Sequence, residues 1–217
     1  MGTKRSLKNK RVLVTCGPTW VPIDAVRVIS NRSTGEMGII LTRAFKKHNA
    51  RVTLARGPLS VCETLPSVTV RPFRFYDELT HIVQEELRNN HYDVVIHAAA
   101  VSDYRLKHPR AAKISSRLAR VNLTLVPTKK IINGIKKINP RVFLVGFKLA
   151  HSLNPRSARR AAKKLFADAQ CDLVVANCIR NKRYTGFIID NRNRIVAHVR
   201  TKKSLATVLI RAIQTLA

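Results

Sequence analysis

The chain alternates short apolar runs, rich in β-branched residues, with longer amphipathic stretches, and this alternation most constrains its fold. RVLVTC at 11–16 has the composition of a buried strand, and 36–48 follows it with apolar residues at helical spacing. Strands alternating with helices of about ten to fifteen residues form a parallel sheet with helices on both faces. We therefore predict an α/β fold with a Rossmann-like parallel sheet. Further strands are predicted at 51–55, 68–73, 93–98, 121–126, 141–147 and 172–177, and further helices from near Asp77, at 128–138 and at 156–169.

The alternation changes character after residue 177. TGFIID and RIVAHV flank NRN, which is typical of a β-hairpin, and 202–217 have the pattern of a closing amphipathic helix. The basic segment 1–10 has no apolar run behind it, which argues against a secretory signal and predicts a short solvated arm. We expect one domain over 11–217, with the hairpin and last helix as an appendage to it.

Composition limits the function classes. No apolar run reaches the roughly 18 residues that a membrane span needs, so no membrane association is expected. The four cysteines lack metal-site spacing, the histidines are scattered, and no metal ligands are predicted; reduced thiols favour a cytoplasmic protein. Forty-one Lys and Arg against twelve Asp and Glu give a net charge of +29, which attracts polyanions. Because these cations are dispersed along the chain, they do not by themselves indicate a nucleic-acid site.

The loop after the first strand is the main candidate for chemistry, because parallel sheets of this kind bind ligands at the carboxyl ends of their strands. The loop reads GPTWVPIDAVRVISNRSTGEMG, and its glycine spacing fits neither the dinucleotide fingerprint nor the P-loop. Gly35 and Gly38 straddle the start of the next helix, whose free N–H groups attract anions. The Asn and Arg residues of the loop could donate to carboxyl or phosphate oxygens, although a solvated, capped loop fits the composition equally well.

A second informative loop, AAAVSDYRLKHPRAAKISS, follows the strand at 93–98. Its small alanines would let a ligand approach the backbone closely. Asp103 stands where an acid hydrogen-bonds a ribose hydroxyl in this fold class, although such a residue is more commonly a turn former or helix cap.

Together, VLVTCGPTWVPIDAVRVISNRSTGEMG, ARVTLARGP, HAAAVSDYR, KIS, LVGF and CDLVVAN resemble phosphopantothenoylcysteine synthetase, from about residue 10 to the C-terminus. The chain is similar to the stand-alone form of this enzyme, which elsewhere is half of a bifunctional coenzyme A protein. The resemblance implies a ligase that joins 4′-phosphopantothenate to cysteine through an acyl-nucleotidylate, with Mg²⁺ and a nucleoside triphosphate, CTP more readily than ATP. It also implies a homodimer, formed through the late hairpin.

The resemblance assigns roles residue by residue. Asn31, supported by Arg27, would serve amide formation, and Lys113 would serve nucleotidylation. The remaining matched positions would line the site: Gly17, Ala99 and Ala100 beside the substrate, Asp103, Phe147 and Lys164 around the nucleotide, and Asn177 at the end of the sixth strand.

Several positions depart from the family pattern, and most of them concern nucleotide handling. The family usually has lysines at the positions of Ser115, Ser116 and Asp168. Lys129 and Lys130 replace a Pro-Asp pair, and Ala150 replaces an acid. The loop after Asn177 is short and basic. These changes leave open the hypothesis that the chain is a degenerate relative, which binds phosphoanions or nucleic acid and has no ligase activity. A nicotinamide-dependent oxidoreductase is a third hypothesis, against which the missing G-x-G-x-x-G speaks.

Overall fold

An eight-stranded sheet forms the centre of the protein. The structure, a computed structural model, describes residues 5–59 and 64–217. In chain order its strands are β1 (Arg11–Cys16), β2 (Trp20–Pro22), β3 (Val28–Ser30), β4 (Arg51–Arg56), β5 (Thr69–Pro72), β6 (Val94–His97), β7 (Tyr104–Leu106), β8 (Leu125–Pro127), β9 (Phe143–Leu149), β10 (Leu173–Arg180), β11 (Arg183–Asp190) and β12 (Ile195–Val199). Its helices are α1 (Glu36–Lys47), α2 (Tyr76–Asn89), α3 (Ile132–Ile138), α4 (Pro155–Ala169) and α5 (Lys202–Leu216).

The strand order gives the predicted Rossmann-like fold. Six parallel strands lie in the order β5-β4-β1-β6-β9-β10, which is 3-2-1-4-5-6 when only these six are counted along the chain. The order therefore reverses between β1 and β6, where Thr15 lies opposite His97. A ligand crevice is expected beyond their carboxyl ends.

Helices cover both faces, as the near-continuous apolar strands require. One face packs on α1 and α5 through residues such as Phe45, Leu209 and Ile213. The other face packs on α2, α3 and α4 through residues such as Leu79 and Ile135. Full burial of each Leu or Ile stabilises the fold by about 1.5–3 kcal/mol, so both layers hold the sheet in place.

The late hairpin and the closing helix are present, but they are not an appendage. β11 pairs antiparallel with β10 and with β12, so the hairpin extends the main sheet. On α5, Leu205, Leu209 and Ile213 are fully buried against the same core as α1. The apolar face of this helix closes the main core, which a separate unit could not do.

The N-terminal segment 5–10 is exposed except at Leu7, which docks it on the core; residues 1–4 lie outside the described range. Leu7 is only 4% exposed and packs into the core beside α1 and α5. The backbone N–H of Arg5 donates to Gln214 O (2.8 Å), and Lys10 Nζ lies 2.7 Å from Asp93 Oδ1. One apolar side chain within a basic segment is enough to dock it.

Two small sheets lie outside the central one. β2 and β3 form an antiparallel hairpin within the long loop after β1, and β7 pairs with β8. The predicted strand at 121–126 is wrong in extent and place, because only Leu125–Pro127 is a strand and its partner is β7. β9 already occupies the position beside β6, so this segment has no place in the main sheet. No helix within 5–59 and 64–217 is long and apolar enough to cross a membrane.

Candidate functional site

The loops after β1 and β6 lie side by side at the carboxyl end of the sheet. Ala100 N donates to Gly17 O (2.9 Å), and Thr19 N donates to Ala100 O (3.3 Å). Gly17 has φ +85°, and a β-carbon there would lie 3.0 Å from Gly57 Cα. Only glycine fits this turn easily, since L-residues rarely adopt such a φ. The crevice between β1 and β6 is therefore bordered by Gly17 and Ala100, as predicted.

A buried carboxylate organises the long loop after β1, which we call the arm (residues 17–35). Asp24 Oδ1 accepts the N–H groups of Val26 (2.9 Å) and Arg27 (2.8 Å), and Oδ2 accepts Arg27 Nη2 (2.5 Å) and Ile114 N (3.0 Å). The Arg27 guanidinium, followed by these N–H donors, holds the pKa of Asp24 well below its usual range. Asp24 is thus ionised and fixed at physiological pH.

The same contacts join the arm to the segment that carries Lys113. Arg27 Nη2 also donates to Ile114 O (2.7 Å), and Arg110 N donates to Ile23 O (3.1 Å). Ile114 is buried, whereas Lys113 beside it is exposed. The arm and the Lys113 segment are therefore held together by Asp24 and Arg27. The sequence analysis missed Asp24 in this role; the signal was an acid three residues before an arginine in a loop with few other acids.

Asn31 lies at the junction of the two loops. Its Nδ2 donates to Ala100 O (3.0 Å), and the side chain is exposed. Ala99 N donates to Thr15 Oγ1 (3.2 Å), which anchors the second loop to the end of β1. Asn31 thus shares the border of the crevice with Ala99, Ala100 and Gly17, while its Oδ1 and second N–H remain available to a ligand.

Asp103 is exposed and forms an ion pair with Lys130. Thr128 Oγ1 donates to Ser102 O (2.7 Å), and Thr128 N donates to Asp103 O (2.9 Å), so the PTKK segment follows the Asp103 loop. The sequence singled out Lys130 only as a departure from the family pattern. The contact is between residues 27 positions apart and could not be read from local spacing.

The remaining predicted nucleotide residues are less closely gathered. Phe147 is half-buried on β9 opposite Val175, and Asn177 lies opposite Leu149 two residues further along both strands. Lys164 is exposed on α4, nine residues after the start of that helix. At 1.5 Å per residue it lies about 14 Å from the helix end that follows β9. Lys164 therefore lies away from that helix end, and its assignment to the triphosphate stays a prediction. A depression of about 300 Å³ at that helix end is lined by Asn154, Arg156, Ser157 and Arg160, which the sequence analysis did not select.

Two reactive groups beneath the crevice are inert. His97 Nδ1 lies 3.1 Å from Thr15 Oγ1, and burial lowers the pKa of His97 to about 4. Burial likewise raises the pKa of the Cys16 thiol to about 12, so it remains protonated and is no nucleophile. Among residues 5–59 and 64–217, no group of three or more His, Cys, Asp or Glu residues could hold a metal ion.

A model of the family described as the DNA/pantothenate metabolism flavoprotein C-terminal domain matches residues 7–216. The chain belongs to this family. The predicted resemblance is thereby confirmed. A relative from Thermococcus kodakarensis, named coenzyme A biosynthesis bifunctional protein CoaBC, is 42% identical over 178 residues, or 81% of this chain. The chain spans only 43% of that relative.

Solved structures agree with the family assignment. The DNA/pantothenate metabolism flavoprotein from Streptococcus pneumoniae is 30% identical with a TM-score of 0.83, and the match covers 94% of this chain and 98% of that one. A structure of the C-terminal domain of a CoaBC protein is 25% identical with a TM-score of 0.78, and the match covers 97% and 96% of the two chains. The family fold is thus present over nearly the whole chain.

Proposed function

We propose that this protein is a phosphopantothenate–cysteine ligase that forms an amide through an acyl-nucleotidylate. One observation carries the proposal: Asp24 and Arg27 tie the arm that bears Asn31 to the segment that bears Lys113, across the crevice end of the sheet. The likeness to CoaBC proteins and to the isolated C-terminal domain of one of them supports it.

In the first step, a carboxylate oxygen of 4′-phosphopantothenate attacks the α-phosphorus of the nucleotide, and pyrophosphate leaves. Both reactants are anionic, so cations must reduce their repulsion. Lys113 is an exposed cation beside the arm, and Asp103 would accept a ribose hydroxyl while it remains paired with Lys130, because a carboxylate has lone pairs for both. Phe147 would contact the base. Lys164 would bind the triphosphate only if a movement of α4 or the position of the bound substrate brought the triphosphate close to its side chain.

In the second step, the cysteine amine attacks the activated carbonyl carbon. The tetrahedral oxyanion then collapses, the nucleoside monophosphate leaves, and the amine loses a proton. An amide N–H aimed at the developing oxyanion stabilises it in such reactions. Asn31 offers its Nδ2 group at the crevice border, with Gly17, Ala99 and Ala100 forming the wall beside it.

Mg²⁺ would arrive with the nucleotide as part of the co-substrate. Mg²⁺ is commonly held by phosphate oxygens and waters with only one or two carboxylates, which fits a crevice whose one proposed carboxylate is Asp103. CTP is the proposed nucleotide and ATP the alternative, and the cytoplasm is the proposed location.

A homodimer is also part of this proposal. Exposed apolar side chains concentrate on β7, β8 and the segment before β8: Tyr104, Leu118, Val121, Leu123 and Leu125 are each at least 40% exposed. Covering such side chains favours association, so this surface is a stronger candidate for the contact than the late hairpin first expected. Sedimentation of the wild-type protein and of Leu123→Glu tests it, with dissociation of the variant as the expected result.

The test of the ligase separates its two steps. Pyrophosphate release is followed with 4′-phosphopantothenate, Mg²⁺ and CTP or ATP, and amide formation is followed by mass after cysteine is added. Asn31→Asp is expected to slow amide formation more than nucleotidylation, whereas Lys113→Gln should suppress nucleotidylation. Lys137→Gln, an equal charge change at an exposed position on α3, serves as the control. Equal loss of both steps in both site variants would refute these roles.

A second candidate is a degenerate relative that binds phosphoanions or nucleic acid without ligase activity. The +29 charge and the serines at 115 and 116 favour it. Absence of pyrophosphate release with either nucleotide, together with tight RNA binding that weakens steeply with salt, would support it over the ligase.

A further inference from the structure

A second cleft lies on the other half of the sheet, away from the proposed ligase residues on the loop after β6. Its volume is about 660 Å³, within the range of roughly 300–1,000 Å³ usual for small-molecule sites. It opens beyond the carboxyl ends of β4 and β5 and reaches the start of α2. Its lining includes Trp20, Arg56, Gly57, Phe73, Arg74 and His81.

The strand order explains why a cleft forms here. A sheet with the order 3-2-1-4-5-6 has two mononucleotide-binding halves, one on each side of the reversal. The proposed ligase places its nucleotide on the β6, β9 and β10 half. The cleft lies on the β1, β4 and β5 half, and Gly17 packing against Gly57 separates it from the first crevice.

The side chains of the cleft combine cations with flat apolar groups. Arg74 has no side-chain hydrogen bond or ion pair with any described residue, and it is exposed. The carboxylate of Glu78, the acid in the lining, accepts the backbone N–H groups of Arg74 (2.6 Å) and Phe75 (3.1 Å), so it caps α2. Arg71 is held by Glu85 (2.7 Å) and Glu86 (2.5 Å) and contributes little net charge. Arg56 ends β4, where an arginine suits a sugar phosphate in this fold class.

Trp20 gives the cleft an aromatic wall. It is half-buried, its backbone N–H donates to Arg74 O (2.7 Å), and its backbone forms an isolated β-bridge with Phe75 at the start of α2. Phe73, also in the lining, is buried, 3% exposed. Aromatic side chains stack on nucleobases, and guanidinium groups bind phosphate in a forked geometry.

We infer that this cleft binds a nucleoside monophosphate, or the nucleoside-phosphate portion of a larger molecule, at a site separate from the proposed ligase crevice. The base stacks against Trp20, and the phosphate meets Arg74. This inference does not depend on ligase activity, because it uses none of the residues assigned to that reaction.

Trp20 is the only tryptophan of the chain, so its fluorescence reports on this cleft. The full-length protein is titrated with AMP and CMP, and with adenosine and inorganic phosphate as partial probes. We expect saturable quenching by the nucleotides and much weaker effects from either partial probe. Arg74→Gln should weaken nucleotide binding about tenfold or more, the range expected for a lost charge-assisted hydrogen bond. Arg88→Gln, the same change at the far end of α2, should leave it unchanged.

A second pair of variants separates this site from the ligase crevice, since the arm that carries Trp20 borders both. Lys113→Gln and Asp103→Asn should retain the AMP response. If they abolish it while Arg74→Gln retains it, the nucleotide occupies the ligase crevice and the inference is overturned. Absence of quenching in the wild-type protein overturns it as well. Equilibrium dialysis gives an independent count, with one AMP per chain expected that excess CTP does not displace; displacement of AMP by CTP would place it in the ligase crevice and overturn the inference.

Discussion

Gly38→Ala is expected to destabilise the protein, although alanine is normally the better residue in a helix. Gly38 lies in the first turn of α1, and a β-carbon built there would sit 2.2 Å from Cys16 Cβ on β1. Ordinary contacts between such carbons begin near 3.4 Å, and neither atom is at the free end of a flexible side chain. The helix must therefore move away from the sheet.

The magnitude follows from two opposed effects. Alanine stabilises a helix over glycine by about 0.5–1 kcal/mol, whereas overpacking a well-filled core costs typically about 1–3 kcal/mol. A gap of 2.2 Å places the overpacking cost near the upper end of that range, so after the helix gain is subtracted we expect a net loss of about 2 kcal/mol. In a domain of this size each kcal/mol lowers Tm by about 2–4 °C.

Gly134→Ala is the matched control. Gly134 lies in α3, and a β-carbon there has no neighbour within 4 Å. The same substitution should stabilise the protein by up to about 1 kcal/mol. Urea midpoints of the three proteins measure both effects. The reasoning fails if Gly38→Ala is as stable as Gly134→Ala, because the close approach of α1 to β1 would then be absent.

Three further outcomes follow from the buried groups. Asp24→Asn should speed tryptic cleavage between 105 and 120, whereas Asp168→Asn, an exposed acid on α4, should not; equal rates would contradict the linking role of Asp24. His97 resists protonation when folded, because burial lowers its pKa from 6.5 to about 4, so the unfolded chain binds the proton first. Stability should therefore decline as the pH falls from about 6.5 to 4, by at most about 1.4 kcal/mol per unit from this group. Urea midpoints of wild type and His97→Asn test this, and an unchanged slope in the variant would exclude His97 as the cause. Cys62→Ser removes the cysteine that lies outside the described residues. The folded variant should show no thiol reaction with a disulfide reagent at pH 8, because the other three cysteines are buried. Rapid labelling would show that Cys16, Cys171 or Cys178 is accessible.

The sequence was sufficient for the inner strands β1, β6, β9 and β10, because they are largely buried and read as continuous apolar runs. It predicted the hairpin of β11 and β12 but not that this hairpin extends the same sheet. The small sheets escaped prediction, since β2, β3, β7 and β8 have three residues each and expose much of their surface. Leu7 was missed for a related reason: a lone apolar residue among cations has no period.

The candidate site likewise has a part that the sequence predicts and a part that it does not. Gly17 and Ala100 lie where loops leave adjacent parallel strands, so the fold itself brings them together, whereas Asn31 reaches Ala100 through the path of the β2–β3 hairpin. The contacts of Asp24 with Ile114 and of Asp103 with Lys130 join loops whose paths no local pattern specifies. Lys164 was selected by resemblance alone and lies nine residues into α4, so its role stays a prediction.

The docking of residues 5–10 has a consequence for how the chain can be rearranged. Arg5 lies beside Gln214 and its side chain contacts Ala217 O, so the beginning and end of the described chain are neighbours. A short glycine–serine connection could splice them, and new ends could be cut at the Asn181–Lys182 turn between β10 and β11. Such a circular permutant would preserve every strand pairing, and native-like unfolding of it would show that the order of synthesis does not determine this architecture.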